Sequence, residues 1–133
     1  MTRTELKSKA NMLMLGTYWP MERVNKCKCW VIWAPDESLA IIQSYATAVA
    51  IYSAKSKRLY VFDYYSNTTQ QHIRKAAKIL YALEIRYLYR RSDKIVLLST
   101  AYNGFGVYKP SNFEYILEHD WDMFIEDEIS WNY

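Results

Sequence analysis

A chain of 133 residues, 51% of them hydrophobic, holds enough apolar material for one core and too little length for two independent ones. Its apolar runs fall far short of the roughly 20 residues that cross a bilayer, and the run at residues 11 to 15 has no small-residue cleavage site behind it, so the expectation is a cytosolic protein without membrane contact. The net charge of +3 conceals a polarity, because residues 1 to 94 carry sixteen Lys/Arg against seven Asp/Glu while residues 95 to 133 carry one against seven.

In chain order, Thr4 ahead of a run that Gly16 closes predicts a short N-terminal helix with a capping hydroxyl and a glycine stop. A turn around Trp19 and Pro20 leads to a strand at 28–33, then a turn at Ala34-Pro35-Asp36-Glu37 and a second strand at 39–45. Residues 46–52 and 58–64 are dominated by β-branched and aromatic side chains, and the polar link Ala54-Lys55-Ser56-Lys57 joins them as an antiparallel hairpin. Ser66-Asn67-Thr68-Thr69 then offers oxygens to the unpaired amides of a helix start. The spacing predicts a helix over 69–83, with Ile73, Ala76, Ala77, Leu80 and Leu83 on one face and Arg74, Lys75 and Lys78 mostly on the other.

Residues 86–90 and 94–99 read as strands about a turn at Arg91-Ser92-Asp93, with continuation of the helix toward Tyr89 as the alternative. Asn103-Gly104-Phe105-Gly106 marks a loop, and Pro110-Ser111 opens a weakly helical segment at 112–118. Three glycines and three prolines leave no long linker, and no repeat of solenoid period occurs. The expected architecture is a single α+β domain over residues 1–133. It has an antiparallel β-sheet of about four to six strands, a main helix packed on one face, and the short N-terminal helix.

Several side-chain groups invite a chemical reading. His72 follows a cluster of hydroxyls at a helix start, but nucleophilic catalysis needs an oriented base and an oxyanion site, and capping explains the cluster with fewer assumptions. Cys27 and Cys29 are too close for an unstrained bridge and read as reduced thiols. With His72 and His119 they are the remote candidates for a zinc site, although one CxC pair is a weak signal. No Gly-rich phosphate loop, HExxH helix or nucleophile elbow occurs, so no cofactor and no catalytic residue is assigned.

Two surfaces carry the functional expectation. The first is the acidic, aromatic segment at 112–133, where Glu118, Asp120, Trp121, Asp122, Phe124, Glu126, Asp127, Glu128 and Trp131 suit a partner with a basic groove. The second is a basic set, Arg74, Lys75, Lys78, Arg86, Arg90 and Arg91, interleaved with Tyr87 and Tyr89, which can hold phosphates while rings stack on bases.

The stretch Ser44-Tyr45-x-Thr47-x-Val49-Ala50, followed by Leu59-Tyr60-Val61 and Tyr65-Ser66-x-Thr68-Thr69-x-x-His72-Ile73, resembles a small domain of unknown function found in phage and plasmid proteins of Gram-positive bacteria. The resemblance implies a mobile-element accessory protein acting in the bacterial cytoplasm on a host or defence-system protein. One such partner is a nucleic-acid-guided nuclease, which makes an anti-CRISPR inhibitor one form of the reading. It brings no catalytic residues to carry over.

Overall fold

The computed structural model describes residues 3–16, 18–91 and 94–117. Eight strands lie side by side in chain order in one sheet: β1 (Met21–Arg23), β2 (Cys29–Trp33), β3 (Leu39–Ser44), β4 (Thr47–Ser53), β5 (Arg58–Val61), β6 (Glu84–Arg91), β7 (Lys94–Tyr102) and β8 (Tyr108–Leu117). Helix α1 (Arg3–Gly16) precedes them, and helix α2 (Asn67–Leu80) joins β5 to β6.

The sheet is larger than the four to six strands expected, and it is mixed rather than antiparallel. Every neighbouring pair is antiparallel except β5 with β6, which run parallel from Arg58↔Glu84 to Val61↔Tyr87. The reason is the helix between them. Fourteen helical residues carry the chain about 21 Å back along the sheet, so β6 starts at the same end as β5. A parallel pair needs a connection of this kind. Two further expectations fail locally. The helix stops at Leu80, so it does not reach Leu83 or Tyr89, and residues 112–117 form the end of β8 rather than a helix. Pro110 is tolerated there because β8 is the last strand of the sheet among the described residues and its register shifts at Ser99/Thr100.

The limits of α2 are set by its ends. Ser66 is the N-cap, its hydroxyl accepting from the Thr69 amide at 3.5 Å. At the other end Tyr81 adopts the left-handed conformation, φ 56°, donating its amide to Lys78, while Ala82 donates to Ala77 at 2.9 Å. These two bonds form the Schellman closure that usually has glycine at its turning residue.

Both faces of the central strands are buried, which is why β3 and β4 read as nearly continuous apolar runs. On one face Leu6 and Ala10 of α1 pack with Leu39, Ile41, Ile51, Tyr60 and Phe62. Asn11 accepts from the Ala48 amide at 3.0 Å and the Arg3 guanidinium donates to the Phe62 carbonyl, tying α1 to the strands. On the other face Ile73, Ala76, Ala77 and Leu80 of α2 pack with Ala40, Ile42, Val49, Leu59 and Val61. Helix α2 leans over β2 and β3; on the same face farther along the sheet Tyr87, Val96 and Thr100 are buried, while Phe113 and Tyr115 of β8 are exposed. Among the described residues, no helix is long and apolar enough to cross a membrane.

On the α1 side, Glu84 sits between Arg58 at 3.1 Å and Arg86 at 3.0 Å. Burial works to raise its pKa, but the hydrogen bond and charge of Arg86, with hydrogen bonds from Ser99 and Arg58, outweigh burial and hold it below its ordinary value. A depressed folded pKa means that the unfolded chain binds the proton more readily. The stabilisation is therefore present above the unfolded value of about 4.3 and is lost as pH falls through the folded one. Urea denaturation should show that Glu84→Gln flattens the loss of stability below about pH 4.5; an unchanged acid limb would contradict the assignment.

Candidate functional site

Two groups of polar side chains compete for a functional role. The first surrounds His72. Its Nδ1 lies 2.9 Å from the Ser44 hydroxyl, which is 3.5 Å from that of Thr69, and the Tyr45 ring packs against the imidazole at 5.5 Å. Burial, and then the charge of Lys75, lower the His72 pKa, so the ring is neutral at neutral pH. Ser44 is only 3% exposed and His72 6%. The imidazole's partners are a hydroxyl and a phenol ring, with no carboxylate among the described residues to orient it, and a nucleophile so deeply buried meets no substrate. This cluster pins α2 to the β3–β4 turn.

The thiols lie beside it. Cys29 is buried with its Sγ against the His72 carbonyl, and burial, with Cys27 adding, pushes its pKa up to about 12. Lys75 Nζ reaches Cys27 Sγ at 3.4 Å. Both thiols are free. His72 turns its ring to Ser44 rather than to the thiols, His119 lies outside the described residues, and among those described no three His, Cys, Asp or Glu side chains gather as metal ligands.

The second group lines a groove between α2 and the same face of β6–β8. At one end, Tyr64, Asn67, Gln70 and Arg74 face Tyr87, Leu98 and Thr100 across a cavity of about 300 Å³. Arg74 and Lys78, one helical turn apart, continue the wall past Gly106 and Tyr108. At the far end Lys78, Tyr81, Leu83, Tyr102 and Tyr108 enclose about 360 Å³ of mainly apolar space. Tyr108 is common to all three parts. Its hydroxyl donates to the Ala82 carbonyl, and burial, with Tyr102 and Tyr52 adding, pushes its pKa up to about 12. Burial also raises the Tyr87 pKa, partly offset by the charge and hydrogen bond of Arg74. The Arg74 guanidinium thus reaches from the helical wall toward the Tyr87 phenol.

Beyond the groove the same face carries rows of rings. Tyr87, Leu98 and Phe113 are register neighbours, as are Tyr89, Val96 and Tyr115, and Arg91, Lys94 and Leu117. Tyr64 packs on Tyr87 at 6.2 Å and on Tyr89 at 5.8 Å, Phe113 meets Tyr115 edge-on at 5.0 Å, and Lys94 Nζ lies 5.7 Å from the Tyr115 ring centre. Tyr64, Phe113 and Tyr115 are all exposed.

The structure divides the expected basic set. Arg74 and Lys78 share the groove wall, and Arg91 extends the aromatic face. Lys75 points to the β1–β2 turn, Arg86 pairs with Glu84 and lies 6.0 Å from the Tyr60 ring, and strand alternation sets Arg90 with Arg86 and Leu88 on the α1 side. Sequence reasoning missed Tyr64 and Tyr108, which only the fold brings beside α2, Lys94, which strand register sets against Tyr115, and Gln70 of α2 itself. The acidic set Glu118, Asp120, Trp121, Asp122, Phe124, Glu126, Asp127, Glu128 and Trp131 lies outside the described residues.

Residues 1–90 match a family of unknown function, DUF8033. The chain belongs to that family. No curated protein and no solved structure matches it. The DUF8033 match takes in α1, α2 and most of β6, and so the helical wall of the groove with Tyr64, Tyr87 and Tyr89; β7 and β8 lie past it.

Tyr81 stands out within this wall. It is 82% exposed and lines the apolar end of the groove from a left-handed backbone that disfavours a side chain. Replacing it by glycine removes that strain and little packing. Tyr81→Gly should stabilise the fold by roughly 0.5–1 kcal/mol, measured by thermal or urea unfolding; a loss of stability would mean that the ring supports the fold.

Proposed function

We propose that this protein is a non-enzymatic binding module that takes single-stranded nucleic acid in the groove between α2 and β6–β8. The observation that carries the reading is the placement of Arg74 and Lys78 on one helical wall above a floor of tyrosines. Four residues along a helix span about 6 Å, so the two cations face one groove in succession, as a tracked phosphate backbone requires. Rings at Tyr64, Tyr89, Phe113 and Tyr115 supply faces on which bases can stack, with each stacked base worth about 1–3 kcal/mol.

Charge supports the same ligand. Residues 1 to 94 carry sixteen Lys/Arg against seven Asp/Glu, within a chain of net charge +3. Such a body attracts a polyanion and gives binding a steep salt dependence. The alternative, a mobile-element protein that blocks a host nuclease, draws on the acidic residues after Leu117 rather than on the groove. The two readings separate by charge, since neutralising Glu126, Asp127 and Glu128 weakens partner binding under the alternative and leaves oligonucleotide binding intact or stronger under the groove reading.

Fluorescence anisotropy with labelled oligonucleotides over a salt series tests the proposal. Arg74→Ala with Lys78→Ala should weaken binding at least tenfold at low salt and reduce the slope of log K against log salt by about 1.4, the contribution of two phosphate contacts to a single strand. The same pair of changes leaving affinity and slope untouched would sink the groove as the binding surface.

A further inference from the structure

The groove and the ring-bearing face beyond it form one track with cations on either side of an aromatic stretch. Arg91 and Lys94 lie in register with Leu117 at one end, and Arg74 and Lys78 stand on the helical wall toward the other. Between them Tyr64, Phe113 and Tyr115 are exposed. Among the described residues none of these four cations is ion-paired, whereas Arg58 and Arg86 flank Glu84 on the opposite face. Past Lys78 the track closes in the apolar space lined by Tyr81, Leu83 and Tyr102.

The sequence that follows Leu117 carries the complementary pattern. Residues 118–133, outside the described residues, include six Asp/Glu and no Lys or Arg. The acids fall in two groups, Glu118, Asp120 and Asp122, then Glu126, Asp127 and Glu128. Met123, Phe124 and Ile125 separate the groups, and Trp131 follows the second. Acid, ring and acid thus answer cation, ring and cation, with one more ring for the apolar end. Length permits the match. From the Leu117 row to the Tyr102–Tyr108 row, β8 advances about 31 Å, and a reversal completed by Trp121 leaves about 33 Å of extended chain to Trp131. That brings residues 126–128 level with Arg74 and Lys78.

We infer that residues 118–133 are a tethered occupant of this track, Glu126, Asp127 and Glu128 meeting Arg74 and Lys78 while Trp131 fills the apolar end. The docking rests on charge pattern, exposed rings and chain length. Its consequence, that the segment competes with a polyanion for the same two cations, rests on the single-stranded nucleic-acid reading. A tethered segment acts at an effective concentration of about a millimolar, so individually weak contacts keep the groove mostly closed. Nucleic acid must displace it, and the apparent affinity falls with the fraction of open groove.

The test uses the full chain carrying a nitroxide at Ser130→Cys in a Cys27→Ser background, Cys29 being buried. Amide signals of Arg74, Lys78 and Tyr81 should broaden while those of Lys7 and Lys9 stay sharp, and salt near 1 M should reduce the broadening. Groove signals left sharp would overturn the inference. So would broadening of isotope-labelled chains by separate spin-labelled ones in a mixed sample, which makes a second copy the occupant. In a second arm, Glu126→Gln, Asp127→Asn and Glu128→Gln together should tighten oligo(dT) binding about tenfold at low salt, with the gain shrinking as salt rises. Equal or weaker binding by this variant, where wild-type protein binds, overturns the competition. Broadening in the groove with no oligonucleotide bound by either protein supports the tethered occupant and overturns instead the nucleic-acid reading.

Discussion

The parallel pairing of β5 with β6 is the constraint on which the rest of the structure depends. It obliges the chain to return across the sheet as α2, and that helix buries Ile73, Ala76, Ala77 and Leu80 against the face that Ala40, Ile42, Leu59 and Val61 present. Because α2 leans toward β2 and β3, it covers only part of that face. The remaining width of β6, β7 and β8 is left as a floor with a helical wall. An all-antiparallel meander would have no crossover helix, and so no such wall.

The polar chemistry divides along the same lines. Residues on the β2–β3 side of α2, namely His72 with Ser44 and Thr69, are buried and mutually bonded, and they hold the helix in place. Residues on the other side, Gln70, Arg74, Lys78 and Tyr81, line the groove.

Much of the local structure is legible in the amino-acid sequence. The hairpin about residues 54–57, the Ser66 cap and the periodic face of α2 follow from short-range patterns that tertiary packing then reinforces. The parallel pair is not legible, because strand direction depends on where a helix delivers the chain, and no spacing encodes that. Residues 112–117 mislead for a related reason: proline followed by serine suits a helix start, but pairing with β7 outweighs that weak local preference. At the site, the basic letters of α2 are visible as Arg74, Lys75 and Lys78, yet only the fold separates the two that share the groove from the one that reaches Cys27. Tyr64, Lys94 and Tyr115 come from three distant segments, and register alone unites them.

The central claim is that ligand is held between α2 and β6–β8, and backbone amide shifts in a nuclear magnetic resonance titration with a single-stranded oligonucleotide test it most directly. The account predicts shifts concentrated at Tyr64, Gln70, Arg74, Lys78, Lys94 and Tyr115, with Lys7, Lys9 and Arg58 on the α1 side unmoved. Shifts centred on the α1 side, or spread evenly over both faces, would contradict it.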